Sequence, residues 1–93
     1  MKTVKQIGVV GVDAGMIMVG DPCYFIGKDS TACQKFPTWY DACNQIFCKE
    51  DAGDVMAIDN LGIAVSTTHG DGSYPVYLEE DDNGRRRIIV DLG

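Results

Sequence analysis

Ninety-three residues, 45% of them hydrophobic, supply one compact core and leave no room for a second domain of ordinary size. No apolar run approaches the roughly 20 residues that a membrane-spanning helix needs, so a membrane is set aside as partner. Fourteen acidic against eight basic side chains give a formal charge of −6, which opposes attraction to a phosphate backbone and sets nucleic acid aside as well.

The opening residues, Met1 to Gln6, are polar and basic and run straight into Ile7-Gly8-Val9-Val10. They show neither the apolar stretch nor the small-residue cleavage site of a secretory leader, so a cytoplasmic protein is expected. The cysteines at 23, 33, 43 and 48 are separated by nine, nine and four residues. That spacing matches no zinc pattern, and without a leader the expectation is buried thiols rather than disulfide staples.

Three segments share one local device, two turn-forming residues and then a glycine between strand-like runs: Asp13-Ala14-Gly15, Asn60-Leu61-Gly62 and Asp82-Asn83-Gly84. A three-residue hairpin loop of this kind ends on a residue with positive φ, which glycine adopts without steric cost. In the first hairpin the device pairs Val12 with Met16 and Val10 with Met18. Both faces are then apolar, which suits a central, doubly covered position.

Past it, Gly20-Asp21-Pro22-Cys23-Tyr24 reads as a fixed bend, because Asp before Pro is pushed out of the α region and its side chain bonds nearby amides. Cys23 is expected to lie buried at this corner. Gly27 to Lys35 reads as a polar loop. The one helix expected begins at Thr38, a cap with Asp41 three residues on. Trp39, Ala42, Cys43, Ile46 and Phe47 form its apolar stripe, and Glu50-Asp51-Ala52-Gly53 its end. The middle hairpin spans about Asp54 to Ile58 and Ile63 to Thr67.

In the last hairpin a three-residue loop at Asp82 to Gly84 sets Tyr74 against Leu92, Val76 against Val90, Leu78 against Ile88 and Glu80 against Arg86. The other face then carries Tyr77/Ile89, Glu79/Arg87 and Asp81/Arg85. Apolar residues meet apolar ones, and charges meet their opposites. A two-residue Asn83-Gly84 turn would set Glu79 against Ile88. The first register is preferred, and it neutralises Arg85-Arg86-Arg87 within the hairpin instead of offering them to phosphate.

The expected fold is therefore α+β, mainly β: a single domain with an antiparallel sheet or sandwich of about six strands, ordered β-β-α-β-β-β-β, and one packed helix. Chemistry can sit in two places. One is the corner Asp21, Cys23 and Tyr24. The other is Thr67-Thr68-His69-Gly70-Asp71-Gly72-Ser73-Tyr74, where two glycines around Asp71 permit a sharp turn with exposed amides. Asp21, Cys23, Tyr24, His69, Asp71, Gly72 and Tyr74 are the candidate ligand-binding residues. Cys23, His69 and Asp71 have the residue types of a thiol-hydrolase relay, without an oxyanion motif beside them. His69 with Asp71, Asp21 and Asp13 offers imidazole and carboxylates to a metal, but one histidine and no H-x-H leave the spacing undiagnostic. No cofactor is expected.

The stretch Val12-Asp13-Ala14-Gly15-Met16-Ile17-Met18-Val19-Gly20-Asp21-Pro22-Cys23-Tyr24, with Gly70-Asp71-Gly72-Ser73-Tyr74-Pro75-Val76-Tyr77 and Asn83-Gly84-Arg85, resembles small proteins of unknown function from bacteria and their phages. Those proteins carry an early D-S-G and (G/C)-D-P-C-Y stretch, a late G-D-G-x-Y-P-V-Y stretch and an N-(D/E)-G-R hairpin. Ala14 replaces the commoner serine, and Gly27 to Asp54 lies outside the match. The resemblance implies a β-rich domain of phage or prophage origin and implies no activity. The expected role is a binding protein, an accessory or counter-defence factor that engages a host protein or sequesters a small ligand. The alternative is a small hydrolase using Cys23 and His69, with or without a metal.

Overall fold

The computed structural model describes residues 1–47 and 54–93. The chain order is β1 (Thr3–Val12), β2 (Met16–Gly20), α1 (Pro22–Phe25), α2 (Thr31–Lys35), α3 (Trp39–Ala42), a π-helical turn (Cys43–Phe47), β3 (Val55–Ile58), β4 (Gly62–Ser66), β5 (Gly72–Glu80) and β6 (Arg86–Val90). The fold is α+β and mainly β, with six strands among the described residues, arranged as two three-stranded sheets ordered β1-β5-β6 and β2-β4-β3. Two compact units contain them: Met1–Met16 with Ser66–Gly93, and Ile17–Val65.

In the first unit β5 is central and pairs antiparallel with β1 and β6. The β5–β6 register is the expected one, with Val76 opposite Val90, Leu78 opposite Ile88, Glu79 opposite Arg87 and Glu80 opposite Arg86. Gly84 takes a φ of 79°, and its N–H donates to the Asp81 carbonyl at 3.2 Å. The Asp81 carboxylate also accepts from the N–H groups of Asn83 and Arg85. The ladder ends at Val76–Val90, short of the expected Tyr74–Leu92 pair. The Leu92 carbonyl instead accepts from the Thr68 N–H at 2.9 Å.

The first hairpin departs from expectation. Its loop forms with Gly15 at a φ of 72°, but β1 and β2 enter different sheets. β1 pairs with β5 from Thr3–Glu80 to Val12–Gly72, with a bulge between Gln6 and Gly8. A ten-residue strand thereby finds a nine-residue partner, whereas β2 stops after five, where Asp21-Pro22 forces the chain out of extended pairing. β1 is an edge strand whose residues are exposed except Val12, so the expected double coverage is absent. Apolar alternation shows that a segment can pair, but not with which partner.

In the second unit β3 and β4 are antiparallel, with Met56 opposite Ala64 and Ile58 opposite Gly62. Met56, Ile58 and Ala64 are buried and lie on one face, as a period of two and this register require. The loop between these strands is Asp59 to Leu61. Asp59 carries the positive φ of 49°, and the Leu61 N–H donates to the Ile58 carbonyl at 2.9 Å. Gly62 is not the loop residue expected, and its role lies elsewhere.

The segment read as a bend and a polar loop is helical, so the single-helix expectation is corrected. Asp21 caps α1, its carboxylate accepting from the Cys23 N–H at 2.8 Å, with Pro22 in the first turn. Ser30 caps α2, accepting from the Cys33 N–H at 3.3 Å. Helices of four and five residues are too short to show an apolar stripe, and only their caps mark them in the sequence. Thr38 caps α3 as expected. Its hydroxyl accepts from the Asp41 N–H at 3.1 Å and donates to the Asp41 carboxylate at 2.8 Å. The helix then widens into the π turn, which packs against β3. Ala42, Cys43 and Ile46 are half-buried, while Trp39 stays 58% exposed, so the stripe is covered only in part. The expected end at Glu50 to Gly53, and Cys48, lie outside the described residues.

Across the β5–β6 hairpin, Arg87 donates to the Glu79 carboxylate at 2.9 Å, and the Lys2 ammonium stands 3.8 Å from it. The Arg87 hydrogen bond, helped by Lys2, holds the Glu79 carboxyl below its ordinary range, and the same hydrogen bond raises Arg87. A carboxyl lowered by folding adds stability above its unfolded pKa and loses it as pH falls through the folded value. Wild type should therefore melt above Glu79→Gln at neutral pH, and the two curves should converge on acidification below the carboxylate range. A gap in melting temperature that is unchanged across that titration would refute the assignment.

Candidate functional site

The corner and the glycine loop belong to different units, the corner in Ile17–Val65 and the loop in Ser66–Gly93. At the corner, Asp21 is occupied as the cap of α1. Cys23 is exposed, against the expectation of burial, because it occupies the first turn of a helix with no buried residue. Its thiol takes part in no hydrogen bond among the described residues. Tyr24 is 40% exposed.

In the glycine loop Gly70 has a φ of 76° and Gly72 of 151°. The Gly70 carbonyl accepts from the Tyr74 hydroxyl at 2.7 Å and from the Thr67 hydroxyl. Tyr74 and Thr67 are both buried. The Thr67 N–H donates to the Gly15 carbonyl at 3.0 Å, which ties the loop to the β1–β2 turn. The Tyr74 ring lies beneath Gly72, where an added Cβ would be 3.8 Å away. Asp71 and His69 are exposed. The imidazole of His69 lies against Gly93, so close that a Cβ there would meet its Cδ2 at 2.6 Å. Tyr74 and Gly72 thus shape the loop, and Asp71 and His69 are displayed on it. Among the described residues no three His, Cys, Asp or Glu side chains are gathered to hold a metal ion.

A further feature, missed in the sequence, lies in the second unit. A cavity of about 330 Å³ is lined by Met18 of β2, Phe25 of α1, Ala32 and Cys33 of α2, Phe36 to Trp39, Ala42, Ile46 and Ile58. Its wall residue Phe25 rests on two glycines. A Cβ on Gly20 would fall 2.1 Å from the Phe25 ring, and one on Gly62 would fall 2.9 Å from that ring and 2.7 Å from the Val19 carbonyl. The Phe25 ring therefore sits directly on the backbone of β2 and β4. The Cys33 thiol donates to the Phe25 carbonyl at 3.8 Å, joining α2 to the same wall.

A wider recess of about 630 Å³ runs along β3. Its lining includes the Lys35–Asp59 ion pair and the side chains of Asn44 and Gln45. Those groups hold water readily, so the recess lacks the apolar lining typical of ligand sites. The sequence signal for the apolar cavity was available only in part. Gly20 and Gly62 stood out as glycines, but their common neighbour Phe25 is not adjacent to Gly62 in the chain.

Gly62→Ala should cost about 1–3 kcal/mol, because the clash is with backbone and a packed ring. Gly8→Ala, with nothing within 4 Å of the new Cβ, should stay within about 0.5 kcal/mol of wild type. Equal denaturant midpoints for the two variants would contradict the close packing. Tyr74→Phe should cost about 1 kcal/mol by removing one of the two donors to Gly70. A variant as stable as wild type in urea would show that the clamp contributes nothing.

No helix among the described residues is long and apolar enough to cross a membrane. Compared with protein-family models, with curated proteins and with solved structures, the chain matches none.

Proposed function

We propose that this chain is a small binding protein of phage or prophage type that sequesters a small ligand in the cavity of its second unit, acting in the host cytoplasm. The observation that carries the reading is the lining. The cavity falls at the lower end of the size range of small-molecule sites and is walled by apolar and aromatic side chains. The phage attribution rests on the sequence resemblance alone. The exposed Asp71 and His69 remain available to a protein partner, and a host protein captured through that loop is the form the reading takes if the cavity stays empty.

Thermal melts against a broad library of small molecules test the reading, with Ala42→Phe as the blocked form. Ala42 is half-buried and lines the cavity, so a phenyl group there occupies ligand space. A ligand at about 100 times its Kd should stabilise wild type by about 2.7 kcal/mol and leave the variant unmoved. Equal stabilisation of both proteins, or none in wild type, counts against the cavity. Hydrolytic turnover that disappears in folded Cys23→Ser and His69→Ala would replace binding with catalysis.

A further inference from the structure

The geometry points to an uncharged, flat, bicyclic aromatic molecule as the ligand class of this cavity, an inference that rests on the reading just given and narrows it. Charge is excluded by the lining. Among the described residues no Asp, Glu, Lys, Arg or His side chain contributes to it, and a charged group placed against these side chains would lose hydration without a partner. Its hydroxyl and thiol are already engaged. Thr38 bonds to Asp41 in both directions, and Cys33 donates to the Phe25 carbonyl. A ligand rich in hydrogen-bonding groups would find those two positions taken.

Planarity follows from what remains. Phe25, Phe36 and Trp39 supply three rings, and Met18 and Cys33 supply two sulfurs. Rings prefer offset or edge-on contact with other rings, and sulfur packs favourably at ring edges. An aliphatic globule of equal volume has the area but not the quadrupole to use these contacts. Size follows from volume. A dry apolar cavity of roughly 150 Å³ holds one benzene, and this one is about 330 Å³. By that scale two fused rings cover its lining, with one edge toward solvent at Trp39.

The chain carries its own reporters. Trp39 is the only tryptophan and stands at the cavity with its side chain partly in solvent. Cys33 lines the cavity and Cys23 does not, so alkylation of Cys33 measured against Cys23 by peptide mass spectrometry reads occupancy with an internal control. The intact wild-type chain is titrated with 2-naphthol, 2-naphthoate, phenol and 1-adamantanol, following Cys33 protection and the Trp39 indole N–H resonance.

The expected result is saturable protection of Cys33 but not Cys23 by 2-naphthol. Affinity should be at least about tenfold weaker for naphthoate, which must bury its charge, and weaker again for phenol and adamantanol. Protection of Cys33 by naphthoate or adamantanol as strong as by naphthol would overturn the ligand class and leave the cavity as a binding site. Protection by none of the four would overturn the ligand class, and if the library melts are also blank the cavity reading fails with it. Ala42→Phe should abolish the protection. Should that variant fail to fold, the wild-type ratio of Cys33 to Cys23 labelling still decides.

Discussion

The second unit is organised around one close approach, the Phe25 ring resting on the backbone at Gly20 and Gly62. With no Cβ at either glycine, an aromatic ring reaches the sheet at a distance that side-chain packing never allows. That contact fixes where α1 stands relative to β2 and β4. Asp21 caps the start of α1, and the Cys33 thiol bonds α2 to the Phe25 carbonyl. The cavity is the space left between this anchored pair of helical turns, the α3 segment and Ile58 on β3. It is a recess open to solvent at Trp39, and the Cys33–Phe25 hydrogen bond ties α2 to its wall.

The first unit is built on a different balance. Its central strand β5 has partners on both sides, and its pairing at the turn end is ionic, with Glu80–Arg86 exposed and the Glu79 side chain half-buried beside Arg87. Exposed pairs of this kind fix register more than they add stability. At the opposite end the pairing is apolar and the loop is held by the Thr67 and Tyr74 hydroxyls meeting on one carbonyl. A carbonyl has two lone pairs, so Gly70 is satisfied by these two donors. The loop that the sequence marks for a sharp turn, with two glycines in three residues, is held from beneath by these two hydroxyls.

Legibility follows the range of the interactions. The β5–β6 register was readable because every pair in it is local and only one alignment matches charges and apolar residues together. The Thr38 cap was readable for the same reason. The partner of β1 was not, since Ile7 to Val12 is apolar on both faces and pairs as well with β2 on paper as with β5 across some sixty residues of chain. The helices at Pro22–Phe25 and Thr31–Lys35 announce themselves only by Asp21 and Ser30, residues as common in turns as in caps. Gly62 was assigned to a turn, because a glycine after Asn-Leu looks alike whether it supplies positive φ or room for a ring. Of the candidate site, the sharp turn that Gly70 and Gly72 permit was legible and the cavity was not, since its wall is drawn from residues between 18 and 58 that no spacing rule connects.

The make-up of the cavity wall decides which kind of discrimination the second unit can exercise. Cys23, His69 and Asp71 are exposed to water, where a charge is screened and a nucleophile gains nothing from desolvation. Among the described residues the cavity wall holds no carboxylate, ammonium or imidazole. Selection there rests on shape, ring contact and the penalty for stripping water from polar groups. A wall of that kind separates homologues that differ by a methylene only modestly, by about 1–3 kcal/mol, and disfavours a charged analogue because none of the described wall groups repays the lost hydration. The wall thus discriminates by shape and ring contact, and its rim residue Trp39 stays in contact with solvent.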